Sequence, residues 1–322
     1  MAFELIECLD DTAWDEFVRD SFQGNVFCLT DFLRSLDEPF VRYLVKEEGE
    51  PVAGTILMTR DGLPLRAPHG CAEYQGIMFG RAVEALPTHR RVLTKLKTVD
   101  YLLGELADRY RYLSFGLHHE FTDLRSFQWF NYHEPEKGRF AIELRYTGLL
   151  DLRTMVPQEQ YLQGVRELRR REYNRAVKEG VTVEGSNNIG LLDRLHEMTF
   201  DRQALSRPVD EARQLRLVGQ GALDANFGKL LLARSAAGEV ASAYLFLFDN
   251  RCAYYLFGGN HPDLRKTGAS TYLMFYAIDL FKKQGMHYFD FVGVNSPNRG
   301  DFKTSFNAEP KLYYAVSWER PD

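Results

Sequence analysis

The segment from Tyr254 to Phe306 constrains the chain most, because an apolar run, a Gly-punctuated turn, a helical periodicity, a second apolar run and a polar stretch follow one another in that order. Residues 240–248 and 252–257 are rich in aromatic and apolar side chains and flank Asp249-Asn250, a pair that tolerates a tight turn, so they read as a hairpin. After Gly258-Gly259, the residues Tyr272, Leu273, Tyr276, Ala277, Leu280 and Phe281 recur at helical spacing, starting near Gly268 and stopping at Gly285. Residues 286–292 then form an aromatic-rich run of strand length, and a polar loop ends in Gly300-Asp301-Phe302-Lys303. Strand, helix and strand in one sheet imply a parallel crossover, hence an α/β fold with a mixed sheet.

The start of that helix carries the first chemical expectation. A helix beginning near Gly268 presents N–H groups and the positive end of its dipole to an anion, either the pyrophosphate of a coenzyme or a nucleic-acid phosphate. Gly268 and Ala269 permit close backbone approach, Ser270 follows them, and Arg265 or Lys266 supplies positive charge. Asp290 lies inside the second apolar run, where a carboxylate is either a buried, hydrogen-bonded structural group or a base facing substrate.

The 322 residues exceed what one core usually serves, so two domains are expected, 1–150 and 151–322. The first half has its own helix at 13–18, strands at 41–46 and 52–59, a long helix at 91–110 and a strand at 112–117, and repeats the second half in outline. A predicted basic helix with the apolar side Val165, Leu168, Ala176 and Val177 follows the boundary. Its Arg166, Arg169, Arg170, Arg171, Arg175 and Lys178 form either a solvated face or a phosphate-binding ridge for a tRNA acceptor stem, a nucleotide sugar or a coenzyme tail.

Several classes are disfavoured. A net charge of −5 is wrong for a surface coated to bind nucleic acid, although it leaves room for a local patch. No apolar stretch is long enough to span a bilayer, and the acidic start Met-Ala-Phe-Glu-Leu-Ile-Glu is unlike a signal peptide, so a cytoplasmic location is expected. Cys8, Cys28, Cys71 and Cys252 are scattered, as reduced thiols would be. His118-His119-Glu120 is discounted as a metal site, since neighbouring side chains on an extended strand point to opposite faces. No G-x-S-x-G elbow appears, which weighs against a serine hydrolase.

Taken together, Tyr254-Tyr255-x-x-Gly258-Gly259, Gly268-Ala269, Gly285, Asp290-Phe291-x-Gly293 and Gly300-x-Phe302-Lys303-x-x-Phe306 resemble the Fem family of aminoacyl-tRNA-dependent peptidyltransferases and the related BioF2-like acetyltransferase domains, both of the GNAT superfamily. Phe127-x-Trp129-Phe130-x-Tyr132, the run from Arg145 to Leu152 and the opening Trp14, Phe17 and Val26-Phe27 carry the resemblance across nearly the whole chain. The coiled-coil arm that several cell-wall Fem enzymes carry is missing from residues 181–240, which leaves the donor open between tRNA and coenzyme A.

The resemblance implies two tandem GNAT-like domains and an acyltransferase that joins an aminoacyl or acyl group to an amine of a small molecule or precursor. The donor is aminoacyl-tRNA or acyl-CoA, with no permanently bound cofactor and no metal. It also implies that Phe302 and Lys303 lie at the acyl-transfer centre, Lys303 facing the oxyanion or leaving group. Of Tyr254 and Tyr255, strand alternation turns one toward the cleft and the other into the core. Arg265, Lys266, Gly268, Ala269, Ser270, Arg170 and Arg171 are the expected donor-binding set, and Tyr74, Gln75 and Asp290 the expected acceptor-binding set. A GNAT-shaped protein that binds a nucleotide-linked ligand without chemistry is the remaining alternative.

Overall fold

Strand pairing, more than helix packing, determines where each half of the chain keeps its core. The structure is a computed structural model that describes residues 3–202 and 204–321. The chain divides into two units, Met1–Arg145 with Leu312–Asp322, and Tyr146–Lys311. The closing residues therefore group with the first unit, whereas the sequence reading assigns them to the second domain. Their backbone pairs antiparallel with the strand Tyr112–Leu117, in a register running from Tyr314↔Leu117 to Glu319↔Tyr112.

In the first unit, β1 (Phe3–Glu7), β2 (Phe40–Glu47), β3 (Glu50–Arg60) and β4 (Leu63–Pro64) lie side by side, and β5 (Met78–Phe79) also pairs with β3. All of these pairings are antiparallel. β6 is Tyr112–Leu117. The long helix Thr88–Arg109 buries Val99, Leu102, Leu103 and Leu106, a 3–4–7 stripe that meets Phe79, Phe115, Phe127 and Trp318 in one cluster. Each fully buried apolar side chain of this kind contributes about 1.5–3 kcal/mol.

In the second unit the order is β7 (Ala141–Asp151), β12 (Tyr288–Asp290), β11 (Cys252–Asn260), β10 (Val240–Phe248), β9 (Gly228–Arg234) and β8 (Thr182–Ser186). Its neighbouring strands are antiparallel apart from β11 and β12, which are parallel and are joined by the crossover helix Ala269–Lys283, as the sequence order implies. Leu273, Met274, Ala277, Ile278 and Phe281 of that helix pack on Phe246, Phe289 and Phe291. The last strand, β13 (Glu309–Glu319), leaves this unit and closes the first.

Two local expectations change. The second apolar run is a strand only at Tyr288–Asp290, because the backbone turns left-handed at Val292, with φ 48°. The stretch ending in Gly300-Asp301-Phe302-Lys303 is helical, Pro297–Thr304, and not a loop.

Candidate functional site

β11 and β12 begin together and then part. They pair at Cys252↔Tyr288, Ala253↔Phe289 and Tyr254↔Asp290, after which β12 ends while β11 continues to Asn260. The register of β10 on β11 slips at the same point: Leu245 faces Phe257 and Phe246 faces Tyr255, leaving Leu256 as the extra residue of a bulge. A bulge interrupts strict alternation, and Tyr255, Leu256, Phe257 and Gly258 accordingly line one cavity of about 590 Å³.

The far wall of that cavity comes from the helix Pro297–Thr304, which contributes Phe302 and Lys303. The Lys303 ammonium donates to the Gly293 carbonyl at 2.9 Å and to the Val292 carbonyl, and stands 5.5 Å from the centre of the Tyr255 ring. Asp290 grips the same turn from within. It is 1% exposed, and its Oδ1 accepts the Val292 N–H at 2.7 Å and the Thr147 hydroxyl. A β-branched residue in left-handed backbone is costly, of the order of 1–3 kcal/mol, and persists where neighbours over-determine it. Here a lysine and an aspartate do so, and the lysine is thereby fixed in the gap where the strands separate.

The two tyrosines divide as alternation requires. Tyr254 is buried and its hydroxyl donates to Asp249 Oδ2 at 2.9 Å; burial first, and then the Asp249 charge, push its phenol well above the ordinary range. Tyr255 is half-buried on the cavity side, its ring 4.8 Å from Tyr244, and its hydroxyl lies over Gly258, where a Cβ would come within 1.9 Å of it. Only glycine leaves that hydroxyl its place. Of the expected pair, Tyr255 reaches the Lys303 cavity and Tyr254 does not.

The expected donor-binding residues also separate. Arg265 lines the cavity, together with Arg202, which sequence reasoning missed. Burial and then the nearby Arg265 charge hold the Arg202 guanidinium below its ordinary value, so the two cations are neighbours.

Gly268 and Ala269 are buried at the helix start, but the approach there is made by the protein itself. A Cβ on Gly268 would fall 2.2 Å from the Glu172 carbonyl oxygen. The Glu172 carboxylate accepts the Thr271 hydroxyl at 2.5 Å and pairs with Arg169 at 2.7 Å. Ser270 bonds the buried Tyr244 hydroxyl, and the Lys266 carbonyl accepts from Arg175 at 2.9 Å. The basic helix, Glu167–Lys178, is largely occupied as well: Arg171 pairs with Glu167 at 2.5 Å, Arg170 reaches Gln163, and Arg166 before it clasps Asp301 with two bonds of 2.6 and 2.7 Å.

Tyr74 and Gln75 belong to the interior of the first unit. Tyr74 is 1% exposed among Phe27, His118 and Tyr313, and Gln75 donates to the Phe27 carbonyl at 3.0 Å. His118 and His119 lie beyond the end of β6 and their rings are 4.1 Å apart, so the expected opposite-face arrangement is replaced by adjacent rings. All four cysteines are buried.

Two further residues of the cavity were not singled out from sequence, His196 and Glu211, with Nε2 and Oε1 3.5 Å apart. A helical stripe of His196, Thr199 and Phe200 on Ile189–Asp201 was the available signal, because residues three and four apart share a face.

Residues 164–304 match the family model described as an acetyltransferase (GNAT) domain. Among solved structures, FemX is 12% identical and covers 97% of this chain and 96% of its own, with a TM-score of 0.68. A tandem GNAT protein from the clavulanic acid biosynthesis pathway is 12% identical over the whole of both chains, with a TM-score of 0.55. The C-terminal domain of an Agrobacterium fabrum protein described as a lysylphosphatidylglycerol synthetase is 9% identical over 95% of this chain and 91% of its own, with a TM-score of 0.51. No curated protein matches the chain in sequence. No helix among the described residues is long and apolar enough to cross a membrane.

Proposed function

From the premise that this chain is an acyltransferase with a Fem-like tandem GNAT fold, we propose that it transfers an aminoacyl group from the ester of a charged tRNA to an amine. The Lys303 ammonium in the gap between β11 and β12 carries this reading. An ester entering the cavity would bring its carbonyl beside a cation already held by the Gly293 and Val292 carbonyls. Stabilising the developing oxyanion then requires no reorganisation at the moment of reaction. Tyr255 and Phe302 wall the reacting carbon, and Arg265 with Arg202 lies where the donor's phosphates would enter.

Glu172 favours an ester donor over a coenzyme A thioester. A pyrophosphate seated on the start of Ala269–Lys283 would have to displace a carboxylate bonded to Thr271 and Arg169, and would meet like charge there. A tRNA ester needs only its terminal phosphates near the two arginines. The test is a single assay offering total charged tRNA and acetyl-coenzyme A together, with and without ribonuclease. Consumption of the aminoacyl ester that ribonuclease abolishes supports the proposal; consumption of acetyl-coenzyme A alone refutes the choice of donor.

A further inference from the structure

Resting on that reading, we infer that Glu211 and His196 are the proton acceptor for the attacking amine. Amide formation needs a neutral nucleophile, and an alkyl amine resembling a lysine side chain is an ammonium at pH 7. The charged groups reaching the cavity from the elements around it are Lys303 from Pro297–Thr304, Arg265 from before the crossover helix, Arg202 from the end of Ile189–Asp201, and Glu211 from Val209–Asp224. Tyr255 comes from β11 and His196 from Ile189–Asp201. The cations have no lone pair to offer, and a phenol is a hydrogen-bond donor that a carboxylate–imidazole pair outranks as a base. Glu211 and His196 remain.

Their placement suits the task. His196 is buried, its ring held edge-on by Phe200 at 5.3 Å and Phe257 at 5.8 Å. Its helix presses on the open end of β11 so closely that a Cβ on Gly259 would lie 2.5 Å from the His196 backbone nitrogen. Glu211 comes from a separate helix to within 3.5 Å of Nε2 and is half-buried at the cavity wall. In a cavity with three cations, this carboxylate is where an incoming ammonium docks, and the same cations favour loss of its proton.

The step balances. The ammonium gives one proton to the Glu211–His196 pair, the nitrogen lone pair attacks the ester carbon, a C–N bond forms and the C–O bond to the ribose breaks. The second nitrogen proton ends on the ribose oxygen, and the first leaves to water through the pair.

The experiment uses full-length wild type, Glu211→Gln, His196→Gln and Lys303→Ala with whichever donor is consumed in the comparison above. Two probe nucleophiles are offered: methylamine, an ammonium at neutral pH, and hydroxylamine, already neutral. Both glutamine variants are expected to lower kcat for methylamine by about 100-fold with donor KM little changed, and the deficit should narrow as pH rises toward the range of the free amine. The loss with hydroxylamine is expected to be roughly tenfold smaller. Equal losses with both nucleophiles, or wild-type pH profiles in both glutamine variants, overturn the assignment. Normal turnover by Lys303→Ala, or no enzymatic turnover by wild type, instead overturns the reading on which it rests.

Discussion

Two places in the second unit were expected to receive a ligand, and they differ in who fills them. The start of Ala269–Lys283 is filled from inside, by the Glu172 carbonyl over Gly268 and the Glu172 carboxylate on Thr271. The gap between β11 and β12 is left open, with Lys303, Tyr255, Arg265 and Phe302 around a cavity of about 590 Å³. A helix N-terminus attracts any carboxylate or phosphate, including one from the same chain. A gap between diverging strands cannot be closed by a side chain alone, because its edges are backbone that one partner has abandoned. A glycine before a helix is therefore weaker evidence for a phosphate than strand pairing that stops short.

The comparison breaks most visibly at Lys303. Lys303→Ala is expected to lower kcat by about 10²–10³-fold, the cost of removing one oxyanion donor, with donor KM changing far less. A melting curve accompanies it, since the variant also releases the Val292 and Gly293 carbonyls. A wild-type kcat would make the lysine a clasp for the turn and nothing more.

At the closed place the effect should fall on stability. Glu172→Ala strands the largely buried Arg169 and is expected to cost about 2–3 kcal/mol in a urea melt, while turnover per folded molecule changes little. An unchanged midpoint would mean that the carboxylate does not close the helix start.

Arg265→Ala should raise donor KM about tenfold at low salt, with the difference shrinking as ionic strength rises. A KM indifferent to both the substitution and salt would remove the arginines from the donor's path.

The smallest expected effect concerns the zipped end of β11. Asp249 Oδ1 accepts the Arg251 and Cys252 N–H groups at 2.7 and 2.9 Å, yet burial pushes its carboxyl above the usual range. The folded chain then binds this proton more tightly than the unfolded chain. Stability accordingly falls as pH rises from the ordinary carboxylate value of about 4 through the raised folded value, beyond which the full cost is present. Asp249→Asn keeps an acceptor oxygen and should shift the difference in Tm between pH 4 and pH 7 in favour of pH 7. An equal difference in both proteins would exclude Asp249 as its source.

The sequence was most legible where local pattern and pairing agree. Strand Val240–Phe248 and the crossover helix came from an aromatic-rich apolar run beside a turn and from helical spacing, and the bulk of Leu273, Met274, Phe275 and Phe281 leaves that helix no exposed alternative. Lys303 was reached only through a resemblance, since a lysine near a glycine carries no signal of its own. Its helix was read as a loop because Pro297 and Gly300 punctuate it. His196, Glu211 and Arg202 were missed for a different reason. Residues 189–224 hold two helices whose inward stripes mix Leu with polar groups, and only the fold reveals that those polar groups share one cavity with β11. Tyr74 and Gln75 show the converse: polar residues beside a glycine, they are core because Asn25, Cys28 and Phe27 satisfy the backbone and side chains around them.

The pairing of Leu117 with Tyr314 has a consequence for biosynthesis. The ribosome delivers β6 about two hundred residues before the strand that must lie beside it, so the first unit keeps an unsatisfied edge while the whole of the second is being made. The amino-terminal half is thus completed last, and a nascent chain stalled inside the second unit would expose that edge to other proteins.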